Sequence, residues 1–351
     1  MLADKARSPE PTDRAQNFDV IDPSDDLAAD TIVLAPGEAK EIEILARRIS
    51  DCCGHLPLSH PNLIEAVEVE AGRLPATVAS SLTRYREYGT GSGVLLLKGL
   101  PVDEPLPPTP EDGAYAGEWT DLAISTVTEL MVMSRLGAVI AYADEKAGRL
   151  VQDVCPVRGA ETRQENTGSS LLELHTEDGF HPNKPAFIGL SCLRQDHEGS
   201  ALTVAGSIRA VLPDLPPQTV EVLRRPLFRI RLSSSFTGGE APRYSSLMPV
   251  LSGPRDDPDM CVDFHAMESF DERGTRALQL LRDHLLQALI GVAMEPGDLL
   301  IVDNRLAVHG RTGFVPRHDG RDRWLRRCFA VTDIRASRGS RPPKSRVHEP
   351  L

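Results

Sequence analysis

The stretch Gly297-Asp-Leu-Leu-Ile-Val-Asp-Asn-Arg-Leu-Ala-Val-His-Gly310 holds two short apolar runs, 298–302 and 305–309, on either side of an Asp-Asn turn. Runs this short, bounded by Gly, Asp and Asn, read as strands rather than helices. The same texture extends through the C-terminal two thirds of the chain. Candidate strands fall at 138–142, 150–155, 171–177, 186–193, 201–205, 227–232, 247–251, 260–264 and 325–332. One helix interrupts them at 270–291, with Leu278, Leu281, Leu285, Leu286 and Leu289 on one side. Many short strands without β-α-β alternation favour a sandwich or jelly roll over a doubly wound sheet.

Upstream the pattern is helical. Ile42, Leu45 and Ile49 recur at helical spacing, Asn62 stands as an N-cap before a second amphipathic run, and 76–87 and 118–136 read as further helices. Residues 93–100 form a strand, and the Pro-rich 101–110 a loop. Residues 1–30 are polar and acidic, a flexible lead-in, and the tail 336–351 is basic and expected to be loose. The expected organisation is therefore one domain over 31–335, with its N-terminal helices wrapped around a β core.

Composition bounds the function. A chain of 351 residues with 40% hydrophobic content can bury a full core, and 28 prolines favour turns over long helices. Thirty-nine basic against 51 acidic residues give a formal charge of −12, which argues against nucleic acid or an anionic membrane as partner. Six cysteines without C-x-x-C spacing make neither a disulfide framework nor a zinc ribbon. The N-terminus lacks the apolar core of a signal peptide, and no apolar run reaches the ~20 residues of a membrane span. A soluble, cytoplasmic protein is expected; its oligomeric state is left open.

The chemistry concentrates in Leu171-Leu-Glu-Leu-His-Thr-Glu-Asp-Gly-Phe180. On a strand, residues i and i+2 share a face, so His175 and Glu177 aim an imidazole and a carboxylate at one point. His309 ends the apolar run of the opening stretch. Two His and one carboxylate form the facial triad of non-haem Fe(II) oxygenases, which leaves positions open for co-substrate and O₂.

HTEDGF, then GDLLIVDNRLAVHGRTGF, then PRHDGRDRWLRR together resemble the clavaminate synthase-like family of Fe(II)/2-oxoglutarate oxygenases. The nearest branch hydroxylates free amino acids such as arginine, asparagine and lysine in peptide-antibiotic biosynthesis. The resemblance spans about residues 90–335. It implies a double-stranded β-helix (jelly-roll) core within a mainly β protein with surrounding helices. Fe(II) would be the metal, 2-oxoglutarate and O₂ the co-substrates, and a free L-amino acid the substrate, hydroxylated at C3 or C4.

Residue by residue, the resemblance places the metal ligands on His175, Glu177 and His309. Arg323 would clamp the far carboxylate of 2-oxoglutarate through its planar fork, helped by Thr203. Arg327 would pair with the substrate α-carboxylate and Glu145 with its α-amino group, with Asn166 nearby. Asp263 and His265 would read the side-chain end. Arginine hydroxylases resemble two carboxylates at these last positions, so His265 tilts the expectation toward an amide or ureido group, which both donates and accepts.

Other readings of the same residues remain. A zinc-dependent jelly-roll enzyme uses a similar ligand set, and a binding protein keeps the fold without turnover. Asp303 and Asn304 read as turn residues, Asp178 points to the face opposite Glu177, and His318 lies in a solvent-exposed loop.

Overall fold

The computed structural model describes residues 25–238 and 241–351. The expected lead-in therefore lies outside the described residues up to position 24. After a short 3-10 turn come β1 (Thr31–Val33), α1 (Pro36–Cys53), α2 (Pro61–Ala71), α3 (Ala76–Tyr88) and β2 (Val94–Lys98). Then follow α4 (Ala123–Ser134), β3 (Ala138–Tyr142), β4 (Val151–Val154), β5 (Leu172–His175), β6 (Phe187–Arg194) and β7 (Leu202–Ser207). The next stretch is irregular: α5 (Ile208–Val211), α6 (Pro217–Leu223), β8 (Phe228–Ile230), α7 (Ser234–Thr237), β9 (Leu251–Ser252), β10 (Asp259–Met260) and β11 (Met267–Ser269). The chain closes with α8 (Glu272–Gln287), β12 (Ile290–Ala293), β13 (Leu299–Asp303), β14 (Ala307–Arg311), β15 (Trp324–Val331) and β16 (Val347–His348).

Two sheets face each other. The larger has eight strands along β1-β2-β13-β6-β15-β3-β16 with β4 beside β15, and the smaller has the order β12-β7-β14-β5. Alternation decides which side chain goes where. Val94, Leu96, Leu300 and Val302 point between the sheets and meet Ala205, Val292 and Ala307 of the small sheet. Their neighbours Leu95, Leu97, Leu299 and Ile301 point outward and are covered by α1 to α4. On the small sheet Leu202, Val204 and Val308 face outward against Ala277, Leu281 and Leu285 of α8. The opening stretch is thus two strands in two sheets, joined by the Asp303-Asn304 turn.

Several boundaries differ from expectation. The strand expected at 171–177 stops at His175, and the strand at 260–264 shrinks to Asp259–Met260. The long helix ends at Gln287, and the chain re-enters the sheet as β12, antiparallel to β7. Helix α4 starts at Ala123, where the Asp103 carboxylate accepts from Ile124 and Ser125 N–H at 2.9 Å each. The tail is not loose. Val347 and His348 pair in parallel with Ala141 and Tyr142, and buried His348 stacks on Tyr142 at 5.4 Å. A basic, apolar-poor composition hid this contact, because two backbone-paired residues and one aromatic ring suffice to hold it.

Candidate active site

His309 sits on β14 directly across from His175 on β5 and Ala205 on β7. Inward-facing alternation brings the two imidazoles together, with ring centroids 4.5 Å apart. Glu177 arrives differently from the expected i, i+2 strand pair. The chain leaves β5 after His175, and Asn304 holds the turn in place. Its side-chain oxygen accepts from Glu177 N–H at 2.7 Å, while its amide donates to the carbonyls of Glu177 and Pro185 at 3.0 and 2.9 Å. Asn304 is fully buried; its turn-residue reading missed this second role, for which sequence carries no signal.

Each of His175, Glu177 and His309 offers a ligand atom, and these atoms lie within 4.8 Å of one another. His309 Nε2 is 3.5 Å from Glu177 Oε2, long for a hydrogen bond. It is near the ~3 Å that separates two ligands held about 2.1 Å from one ion at right angles. His309 Nδ1 is buried without a partner, so neither nitrogen is committed to a strong hydrogen bond within the protein. His175 Nδ1 meets the Glu173 carbonyl at 2.8 Å, which leaves Nε2 to face the cluster.

Protonation matches a ligand role. Burial works to raise the Glu177 pKa, but Arg327, His309 and His175 outweigh it and hold the carboxyl below its usual range. Burial, then His175, keeps His309 neutral. An ionised carboxylate beside a neutral imidazole is the form that binds a metal. Asp178, assigned by alternation to the opposite face, lines the same cavity. The strand has already ended, and Asp178 adopts φ +48°. Glu145, Glu177 and Asp178 all face Arg327; burial pushes the Glu145 and Asp178 carboxyls up, so Glu177 is the one held ionised for a ligand role.

All ten residues singled out from the sequence line one cavity of about 270 Å³. Arg323 Nη2 donates to Thr203 Oγ1 at 3.0 Å. Arg327 reaches Glu177 Oε1 at 3.0 Å through Nη1, and Glu145 and Gln152 through Nη2. Burial works to lower the Arg327 pKa, but Glu145, Glu177 and Asp178 raise it. Asp263 Oδ1 accepts from the backbone N–H groups of His265 and Ala266 at 2.9 and 2.7 Å. Asn166 and His265 stand at the rim, His265 exposed. Sequence reading passed over Gln152, Gln164 and Arg311, which share the cavity or its walls. His318, expected in solvent, has a side chain only 12% exposed beside Glu161. A second cluster, His197 with Asp319 and Asp322, sets the carboxylates on different nitrogens of one imidazole at 3.0 and 3.8 Å. That arrangement pins a loop and does not surround an ion.

Residues 64–329 match the family described as taurine catabolism dioxygenase TauD, TfdA family. The chain belongs to the TauD/TfdA dioxygenase family. Within that family it is 40% identical over 315 residues to an L-asparagine oxygenase of Streptomyces coelicolor, covering 89% of this chain and 92% of that protein. It is 35% identical over 272 residues to clavaminate synthase 2 of Streptomyces clavuligerus, covering 77% and 83%. A solved asparagine oxygenase bound to Fe(II), 2S,3S-3-hydroxyasparagine and succinate superposes with a TM-score of 0.86 at 38% identity, over 92% of this chain and all of that one. This dioxygenase is therefore a jelly-roll, Fe(II)/2-oxoglutarate-dependent amino acid hydroxylase. The zinc-enzyme and binding-protein readings fall with that finding. No helix among the described residues is long and apolar enough to cross a membrane.

Proposed function

We propose that this dioxygenase hydroxylates C3 or C4 of a free L-amino acid whose side chain ends in an amide or ureido group, with asparagine and citrulline the first candidates. The observation that carries the reading is Arg327, one buried guanidinium touching both Glu145 and the ligand candidate Glu177. A zwitterion complements this pair, its carboxylate on Arg327 and its ammonium on Glu145. An amino acid held so has its first side-chain carbons beside the His175–Glu177–His309 cluster.

The donor set fits Fe(II), with those three residues as its ligands. When bound, the iron supplies the redox chemistry by which O₂ and 2-oxoglutarate become succinate, CO₂ and one hydroxyl on the amino acid. The protein's own part is positional. Arg323 and Thr203 seat the far carboxylate of the co-substrate, and Arg327 with Glu145 fixes the substrate backbone. At the rim, Ser234 Oγ at the start of α7 donates to Glu165 Oε1 at 2.5 Å and ties that helix to the 164–166 segment. Asp263, His265 and Asn166 meet the side-chain end. Similarity to a clavaminate synthase and an enduracididine beta-hydroxylase favours a role in antibiotic biosynthesis, of the peptide kind expected from the sequence. Six free cysteines fit a cytoplasmic setting.

The deciding experiment offers a panel of free L-amino acids with Fe(II) and 2-oxoglutarate and reads products by mass. A product heavier by one oxygen, formed with equimolar succinate from an amide or ureido substrate, supports the proposal. Preference for a cationic or apolar amino acid overturns the side-chain part. His309→Ala is expected to abolish substrate-triggered succinate formation while leaving the circular dichroism spectrum intact; retained turnover removes it from the ligand set.

A further inference from the structure

Arg311 follows His309 by two residues on β14, so both side chains rise from the same face of the strand. Directly opposite on β7 stands Thr203, the residue that accepts from Arg323. The Arg311 and Arg323 guanidiniums both lie over the ring of Phe314, at 5.2 and 6.0 Å from its centroid. Both line the main cavity, and both are buried, at 4% and 5% exposure. Neither has a carboxylate within salt-bridge distance among the described residues; Asp196 acts on Arg323 only through space. Arg311 Nη2 donates to the Ser170 carbonyl at 2.8 Å, while its Nε is buried with no acceptor.

Two adjacent buried cations repel, and each has given up its hydration, a cost that protein contacts alone do not offset here. The other buried arginines of the sheets show the contrast. Arg326 is paired with Asp153 at 3.2 Å and Arg327 with Glu177 at 3.0 Å. The close countercharge that Arg311 and Arg323 lack fits a bound ligand, and two cations side by side call for an anion with several acceptor positions. A carboxylate offers about four lone-pair sites, enough for two guanidiniums and a hydroxyl.

We propose that Arg311 is a second guanidinium of the co-substrate seat, holding the far carboxylate of the 2-oxoglutarate dianion together with Arg323 and Thr203. Through the Ser170 carbonyl it also links that seat to the segment carrying Gln164, Glu165 and Asn166 at the amino-acid side of the cavity. The inference rests on the reading that this site takes 2-oxoglutarate.

The test measures binding of N-oxalylglycine, a non-reacting isostere of 2-oxoglutarate, by calorimetry on full-length protein loaded with Mn(II). Arg311→Met and Arg311→Gln are expected to weaken binding about tenfold or more. Arg311→Lys keeps the charge but loses the planar fork and its place over Phe314, so its affinity should fall between wild type and Arg311→Met, with Mn(II) affinity in the absence of N-oxalylglycine unchanged in all three. The Gln variant guards against misfolding, because its amide can still donate toward Ser170. Unchanged N-oxalylglycine affinity in Met or Gln, with a lowered melting temperature, assigns Arg311 to loop pinning and overturns the proposal. Loss of binding in Arg323→Met with retention in Arg311→Met overturns this inference alone. A wild-type protein that does not bind N-oxalylglycine overturns the 2-oxoglutarate reading and this one with it.

Discussion

Asn304 lies in a turn, yet its three hydrogen bonds to Glu177 and Pro185 set where the candidate carboxylate ligand stands. Truncating it leaves a buried N–H and two buried carbonyls unpaired. Asn304→Ala is expected to cost about 3–5 kcal/mol in denaturant unfolding and to weaken Fe(II) binding by roughly 10–100-fold. Unchanged metal affinity would show that Glu177 is placed by other contacts. A second residue-scale test concerns specificity: His265→Asp supplies the second carboxylate that suits a guanidinium, so its arginine-to-citrulline activity ratio should rise. An unaltered ratio, measured by product mass under competition, removes His265 from side-chain reading. Motif residues such as His175, His309 and Arg323 were legible because their chemistry and spacing are written in the chain. Asn304, Asp178 and Arg311 were not, since their roles come from a turn, a positive φ and a cross-strand neighbour.

At the scale of elements, the short continuous apolar runs of β13 and β14 were legible as strands, because a strand buried on both faces is apolar on both. What alternation could not foretell is where β5 stops, and there the expected geometry of Glu177 failed while its location held. The junction of β14 with β5 is tight at Gly310, where an added Cβ would lie 2.6 Å from the Leu172 carbonyl oxygen. Backbone must move to accept it. Gly310→Ala is therefore expected to destabilise the fold by about 1–3 kcal/mol. It should also weaken Fe(II) binding, because His309 and His175 stand opposite each other across this same pair of strands. Fe(II) titration and urea unfolding of one preparation read both effects, and a variant that loses stability but keeps metal affinity would show that the strain relaxes away from the ligands.

Across the whole molecule, charge is sorted within the cavity in a way the net −12 conceals. Glu145, Glu177 and Asp178 surround Arg327 at the metal end, while among the described residues Arg311 and Arg323 stand at the other without a carboxylate in salt-bridge contact. The distant parts of the chain are joined beneath the metal end by aromatic packing. His181 stacks on Tyr142 at 4.3 Å and lies 5.8 Å from Phe236 and 6.0 Å from His348, so the ligand loop, β3, α7 and the C-terminal strand share one cluster. Burial, and then His348, lowers the His181 pKa to about 4, and its Nδ1 accepts from Asn183 N–H at 2.9 Å. The folded protein thus keeps this imidazole neutral, whereas the unfolded chain protonates it near pH 6.5. Between those values the unfolded state binds the extra proton, so stability is full above about pH 6.5 and falls as the pH drops toward 4. From pH 8 to pH 5 the loss through His181 is about 2 kcal/mol. Burial also depresses His348, which adds in the same direction. His181→Gln keeps an acceptor for Asn183 and does not titrate, so its unfolding free energy should fall less across that range. Equal acid sensitivity in the two proteins, read by urea titrations at pH 8 and pH 5, would place the titrating group elsewhere and separate the aromatic cluster from the acid response of the fold.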